Sequence, residues 1–150
     1  MGFADDVKRF RDKALKNASD NTNKIASELF KTTVDYSPTP SGKGGYSLGT
    51  IKDNWYSSVS TPDTSFSGSV SVTGDSSLSR IDYTLSQNPF LGKDNVVFLT
   101  NSTKWAYRAD KIGWPSGDTT NDTGWDWTGK IGPYMFTSMS VQSILNRWSK

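Results

Sequence analysis

From Phe3 to about Val34 the apolar residues Phe3, Val7, Phe10, Ala14, Ala18, Ile25 and Leu29 recur mostly three or four positions apart, with Thr22 filling the gap in the row. That spacing predicts a long amphipathic helix with one buried stripe. Asp5 and Asp6 stand where the helix dipole favours anions. Ser37-Pro38-Thr39-Pro40 ends the run, because a residue before proline avoids helical torsions.

The pattern then changes period. Thr50 to Val59 and Ser65 to Thr73 have strand composition, and in the second segment Phe66, Gly68, Val70 and Val72 alternate with Ser67, Ser69, Ser71 and Thr73. An antiparallel pair with one wet face is expected. Leu78, Ile81 and Leu85 return to helical spacing, with Asp75 or Ser76 as N-cap and Asn88-Pro89 as the stop. Asn95 to Asn101 holds the most apolar run, Val96-Val97-Phe98-Leu99, which predicts a central buried strand. Gly113 to Gly132 shows no period and predicts a long loop bearing Trp114, Trp125 and Trp127. Pro133 suits the first position of a C-terminal helix, one face of which is marked by Tyr134, Val141, Leu145 and Trp148. The expected fold is α+β: a long N-terminal helix packed on a small antiparallel sheet, with a short middle helix and a C-terminal helix. A chain of 150 residues has room for one such domain, 1–150.

Composition sharpens this picture. Hydrophobic residues make up 33% of the chain while Ser and Thr supply about a quarter, so the core is expected to be thin. Six Trp, six Tyr and seven Phe are more aromatic surface than such a core needs, which points to burial against partners. The net charge of +2 gives no strong electrostatic footprint for nucleic acid or an acidic membrane. Lys8, Arg9, Arg11, Lys13 and Lys16 are partly balanced by Asp5, Asp6 and Asp12, and this cluster reads as a solvated helix face. The start Met1-Gly2-Phe3-Ala4-Asp5-Asp6 lacks the basic opening and apolar run of a secretory signal, and no later stretch approaches a membrane span. Synthesis in a cytoplasm and no membrane partner are therefore expected.

The chain has no His and no Cys, which removes the usual zinc sites, thiol nucleophiles, Ser-His-Asp triads and disulfides together. Carboxylates remain, as Glu28 and fourteen Asp. Asp118, Asp122 and Asp126 do not follow the spacing of a calcium loop and are better explained as turn formers. Ser41-Gly42-Lys43-Gly44-Gly45 lacks the spacing of a phosphate loop and reads as a turn. Neither an enzyme nor a cofactor or metal site is expected. Trp55 and Trp105, beside strand segments, are assigned to the core. Trp114, Trp125 and Trp127 are assigned to a partner interface, where Trp often dominates binding energy. The alternative is a small Trp-rich carbohydrate-binding module using them as sugar platforms, which predicts a predominantly β fold.

One resemblance spans most of the chain. Gly49-Thr50-Ile51-Lys52-Asp53-Asn54-Trp55 follows the Ser-Pro and Gly-rich turn, and Val97-Phe98-Leu99-Thr100-Asn101 runs into Trp105-Ala106-Tyr107-Arg108-Ala109-Asp110 and Gly113-Trp114-Pro115. With its long N-terminal helix and Pro-led terminal helix, this order resembles the tail-completion or neck proteins of long-tailed bacteriophages, the minor tail protein Z-like family. Pro38, Gly49, Ile51 and Trp55 match the first family motif, and Thr100, Asn101, Ala106, Asp110, Gly113 and Pro133 match the later ones. Trp105 stands for the usual Tyr and Asp110 for the more typical Glu, one extra residue precedes Gly113, and the Trp-rich loop is long for the family. Asp110 is expected to form a surface pair with Arg108 or Lys111, or to cap a turn.

What the resemblance implies is a structural virion protein that completes the head-proximal end of the tail and enables head-tail joining, without catalysis. The implied partners are the tail terminator or tail tube, the tape-measure end and head-tail connector proteins. A ring-forming homo-oligomer in the virion is implied, assembled in the host cytoplasm and with at most non-specific proximity to genomic DNA.

Overall fold

The structure is a computed structural model, and it describes residues 2–38, 50–87, 96–104, 106–111, 114–115, 130–131 and 135–149. The fold is α+β. In chain order the elements are α1 (Phe3–Tyr36), β1 (Trp55–Val59), α2 (Asp75–Gln87), β2 (Val97–Asn101), α3 (Ala106–Lys111), β3 (Trp114–Pro115), β4 (Lys130–Ile131) and α4 (Phe136–Trp148), with a helical turn at 50–53 just before β1. Among the described residues no helix is long and apolar enough to cross a membrane.

The 34 residues of α1 give it a length of about 50 Å. At its start the Asp5 carboxylate accepts from the Gly2 backbone N–H at 3.2 Å, which fixes the first turn. At its end Ser37 turns to extended torsions (φ −63°, ψ 142°) before Pro38, while its N–H still donates to the Thr33 and Val34 carbonyls. The Ser37 hydroxyl donates to the Thr33 carbonyl at 2.8 Å and accepts the Trp55 indole N–H at 2.9 Å. The end of α1 is thereby bonded to the start of β1.

The buried stripe is not the one the periodicity selects. Phe30, Thr33 and Val34 are the buried residues near the end of α1, and Ser19 is buried farther back. Phe3, Val7 and Phe10 are 85%, 50% and 76% exposed, and everything from Gly2 to Ala18 lies on the surface. Only Ile25 and Leu29 of the predicted row are partly covered. The physical reason is length, because the other described elements pack against the second half of the helix.

β1 pairs antiparallel with β2, not with Ser65–Thr73, in the register Trp55↔Asn101 through Val59↔Val97. Thr50 to Val59 is split, since residues 50–53 coil into a helical turn and only Trp55–Val59 is strand. Ser65–Thr73 forms no ladder. Its backbone bonds instead to the Asn54 side chain, whose Oδ1 accepts from the Ser67 and Gly68 N–H groups and whose Nδ2 donates to the Ser69 carbonyl at 2.8 Å. Gly68 sits at φ +70°, and Phe66 and Val72 stay exposed, so the alternation has no buried face to serve. β2 is half-buried along its length and belongs to a two-stranded sheet, so it is not central.

α2 starts at Asp75 as the pattern predicts, yet neither Asp75 nor Ser76 caps it. Gly74 precedes the first turn and the Leu78 N–H bonds to its carbonyl. The capping carboxylate comes from Asp53, which accepts the Ser76 N–H at 3.1 Å and the Ser76 hydroxyl at 3.0 Å. The stop at Asn88-Pro89 lies outside the described residues. α4 begins at Phe136, later than Pro133 suggests, and its buried residues are Ser140 and Ile144. Val141 and Leu145 face outward, Trp148 is partly exposed with its indole bonded to Glu28 of α1, and Tyr134 lies outside the described residues.

The core joins Phe30 and Val34 of α1 to Ile51, Trp55, Ile81, Leu85, Ala106 and Ala109, with Ala26, Leu29, Leu78, Val97 and Leu99 packed around them. Buried polar side chains outnumber buried apolar ones among the described residues, twelve to nine, so hydrogen bonds share the work of holding this interior. Gly74 marks the tightest approach: a Cβ there would stand 2.6 Å from Val34 Cγ1 and 3.0 Å from the Lys52 carbonyl, at φ +77°. Gly74→Ala is expected to cost about 3 kcal/mol in urea-induced unfolding, from overpacking and backbone strain.

Candidate functional site

Four successive residues, Lys52 to Trp55, tie together α1, α2 and the segment 67–69. The Lys52 ammonium is buried against the end of α1, donating to the Asp35 carbonyl at 3.0 Å, where a cation complements the negative end of the helix dipole. Asp53 caps α2 and Asn54 holds residues 67–69, as described. The Trp55 N–H donates to Ser77 Oγ at 2.9 Å while its indole reaches Ser37. Arg80 of α2 closes the arrangement: its guanidinium donates to the Trp55 carbonyl at 3.0 Å and to the Asp53 carbonyl at 2.5 Å, and lies 4.1 Å from the Tyr56 ring centre.

The residues behind the family resemblance can now be placed. Pro38 and Ile51 are buried, and the Ile51 carbonyl accepts from Asn101 Nδ2 at 2.8 Å. Trp55, Asn101, Ala106 and Asp110 line one open cleft of about 260 Å³ together with Tyr107, Lys111 and Thr137. Sequence-distant motif residues therefore converge on one place. Gly49, Gly113 and Pro133 lie outside the described residues.

Asp110 does in this cleft what Asp53 does for α2. Its carboxylate accepts the Thr137 N–H at 3.1 Å and the Thr137 hydroxyl at 2.5 Å, its backbone carbonyl accepts the Met135 N–H, and Lys111 Nζ lies 2.8 Å away. It therefore pairs with Lys111 and caps α4. The expectation of a surface pair is corrected, because the aspartate is 4% exposed. Burial pushes its carboxyl upward, but Lys111 and the two Thr137 donors outweigh that and hold it below the usual aspartate range.

The proposed interface is less completely placed. Trp114 lies in β3, whose partner β4 sets Trp114 opposite Ile131 and Pro115 opposite Lys130. The expected structureless loop is thus corrected at its two ends, which form a short antiparallel ladder. Trp125 and Trp127 lie outside the described residues, as does Trp105, whereas Trp55 is buried as assigned.

A second hollow, about 450 Å³, escaped sequence reasoning. Tyr56, Ser57, Asp63, Ser79, Arg80, Tyr83 and Thr84 line it. Hydrogen bonds from Ser65, and to a lesser degree the nearby Arg80 charge, hold the Asp63 carboxyl below its ordinary range against the effect of burial. Much of the Arg80 hydrogen-bonding capacity is committed to backbone carbonyls, so the hollow has the chemistry of a structural clamp. Nothing local in the sequence marks it, because its residues meet only across α2 and β1. Among the described residues no cluster of three or more carboxylates is placed to hold a metal ion. No family model matches the chain, and no curated protein or solved structure matches it either.

Since the folded pKa of Asp110 is depressed, its contribution to stability is present above the unfolded value of about 3.9 and is lost as pH falls through the folded value. Asp110→Asn is expected to cost about 1–2 kcal/mol near neutrality. The gap from wild type should narrow as pH falls below the unfolded value of about 3.9, as measured by urea unfolding at several pH values.

Proposed function

We propose that this chain is a structural protein of the tailed-phage neck that completes the head-proximal end of the tail and enables head-tail joining. The observation that carries the reading is the convergence of Ile51, Trp55, Asn101, Ala106 and Asp110, which hold the resemblance to the minor tail protein Z-like family, on one hydrogen-bonded region. A shared architecture accounts for such residues as framework, each fastening one element to the next. The element order, with a long first helix, a small antiparallel sheet and a terminal helix, also suits that family.

The role is assembly, without catalysis or cofactor. Its partners are the tail terminator or tail tube, the tape-measure end and the head-tail connector, met within a ring of copies in the virion after synthesis in the host cytoplasm. Docking buries the tryptophans of the loop closed by β3 and β4, concentrating binding energy in few side chains. The helical content of the described residues weighs against the carbohydrate-module alternative, which expects a predominantly β fold.

Disruption of the gene in a phage that encodes this chain is expected to leave full heads and finished tails unjoined in negative-stain electron micrographs. Normal infectious particles would overturn the proposal. Replacing Trp125 and Trp127 together with Ala is expected to abolish incorporation into particles while the circular dichroism of the isolated protein stays unchanged.

A further inference from the structure

The first half of α1 carries an apolar row that the other described residues leave bare. Phe3, Val7, Phe10 and Ala14 follow one another at three- and four-residue steps, all exposed. Helical geometry shows which face they occupy. Eighteen residues make about five turns, so Val7 is in line with Ile25 and Phe10 with Glu28. Glu28 is where the end of α4 is fastened: Arg147 Nη1 and Trp148 Nε1 both donate to its carboxylate at 3.1 Å, and Lys24 Nζ stands 5.3 Å from the centre of the Trp148 ring.

α4 runs antiparallel to α1 on this face. Its last turn lies at Glu28, while its first turn is held by Asp110 in the cleft shared with Trp55, whose indole is bonded to Ser37 just past the end of α1. The bare row is therefore the continuation of a seam that already accepts an antiparallel helix.

We infer that Phe3–Ala14 of α1 pairs antiparallel with the same segment of a second copy of this chain, in line with α4. The row is complementary to itself in that direction. With Val7 set against Phe10 of the second copy, Phe3 meets Ala14, so each large ring faces a smaller side chain and the two layers are filled evenly. The flanks agree: Asp6 of one helix lies beside Lys13 of the other, and the two-fold axis repeats that attraction. Antiparallel helices also oppose their dipoles. The covered parts of both helices begin at Ser19, outside the paired stretch, whereas a parallel pair would bring both domains to the same end of one seam. Such a contact closes at two copies, so it is separate from any contact that builds a ring, and it does not rest on the neck reading.

Sedimentation velocity of the full chain over a wide concentration range is expected to show a reversible dimer. Phe10→Asp should give a monomer with unchanged circular dichroism. Asp6→Lys and Lys13→Asp should each weaken the dimer roughly tenfold, and combining them should restore it, because the pair is then reversed on both sides. The chain has no cysteine, so pairing geometry can be read directly. A mixture of Phe3→Cys and Ala14→Cys proteins should cross-link. Phe3→Cys alone should not, since like positions would stand about 16 Å apart along the axis. A wild-type monomer at every concentration, a double swap no better than its single changes, or cross-linking of Phe3→Cys to itself would overturn the inference. The first outcome would leave the row to a different partner.

Discussion

Every helix leaves unpaired N–H groups at one end and unpaired carbonyls at the other, and inside a fold those groups need partners that water no longer supplies. In this chain the partners come from distant parts of the sequence. Lys52 meets the carbonyl end of α1, Asp53 the N–H end of α2 and Asp110 that of α4. Each side chain is buried, so each pairing both satisfies the helix end and removes the isolated charge that burial would otherwise leave. A core with so few apolar side chains depends on this reciprocity. Trp55 and Ile51 fill the space between helices, but the polar residues beside them fix the angle at which those helices arrive.

Much of the architecture was legible in the chain. The three- and four-residue steps of α1 and of Leu78, Ile81 and Leu85 are local signals, and both helices formed where those signals lie. β2 ended at Asn101 as its apolar run suggested, and Trp55 went inside. What period alone could not supply was the environment of each face. Ser65–Thr73 alternates as a half-buried strand does, yet no described element covers Phe66 or Val72, and the Asn54 amide bonded to its backbone in place of a ladder. Val141, Leu145 and Trp148 carry a helical stripe, but Ser140 and Ile144 are the buried residues and only Trp148 of the stripe reaches α1. The capping residues were hidden for a related reason. A local cap announces itself within three positions of the helix start, whereas Asp53 and Asp110 act across more than twenty.

The two ends of α1 have become different objects. Its second half is partly covered and tied through Ser37 and Lys52, so its position is set by the domain. Its first half keeps helical form through the Gly2–Asp5 cap and the ion pairs Arg9–Asp6, Arg11–Asp12 and Lys16–Asp20, all on the surface. Exposed pairs of this kind contribute little individually to stability, and their main effect here is to keep the segment hydrated and straight. A segment already helical presents its apolar row without first having to form the helix, which lowers the entropic cost of any contact it makes.

The bonds made by residues 51 to 55 also have a bearing on the order in which the chain acquires its shape. The Asn101 side chain reaches back fifty positions to the Ile51 carbonyl, and β1 has no strand partner until β2 exists. A polypeptide emerging from the ribosome can wind α1 at once, since that helix relies on neighbours in sequence. It has no complete interior until Ala109 has been synthesised and has cleared the exit tunnel. Until then Ile51 and Trp55 remain uncovered on the nascent chain. The interval of greatest exposure to aggregation or chaperone capture therefore falls in the middle of synthesis, well before α4 is made.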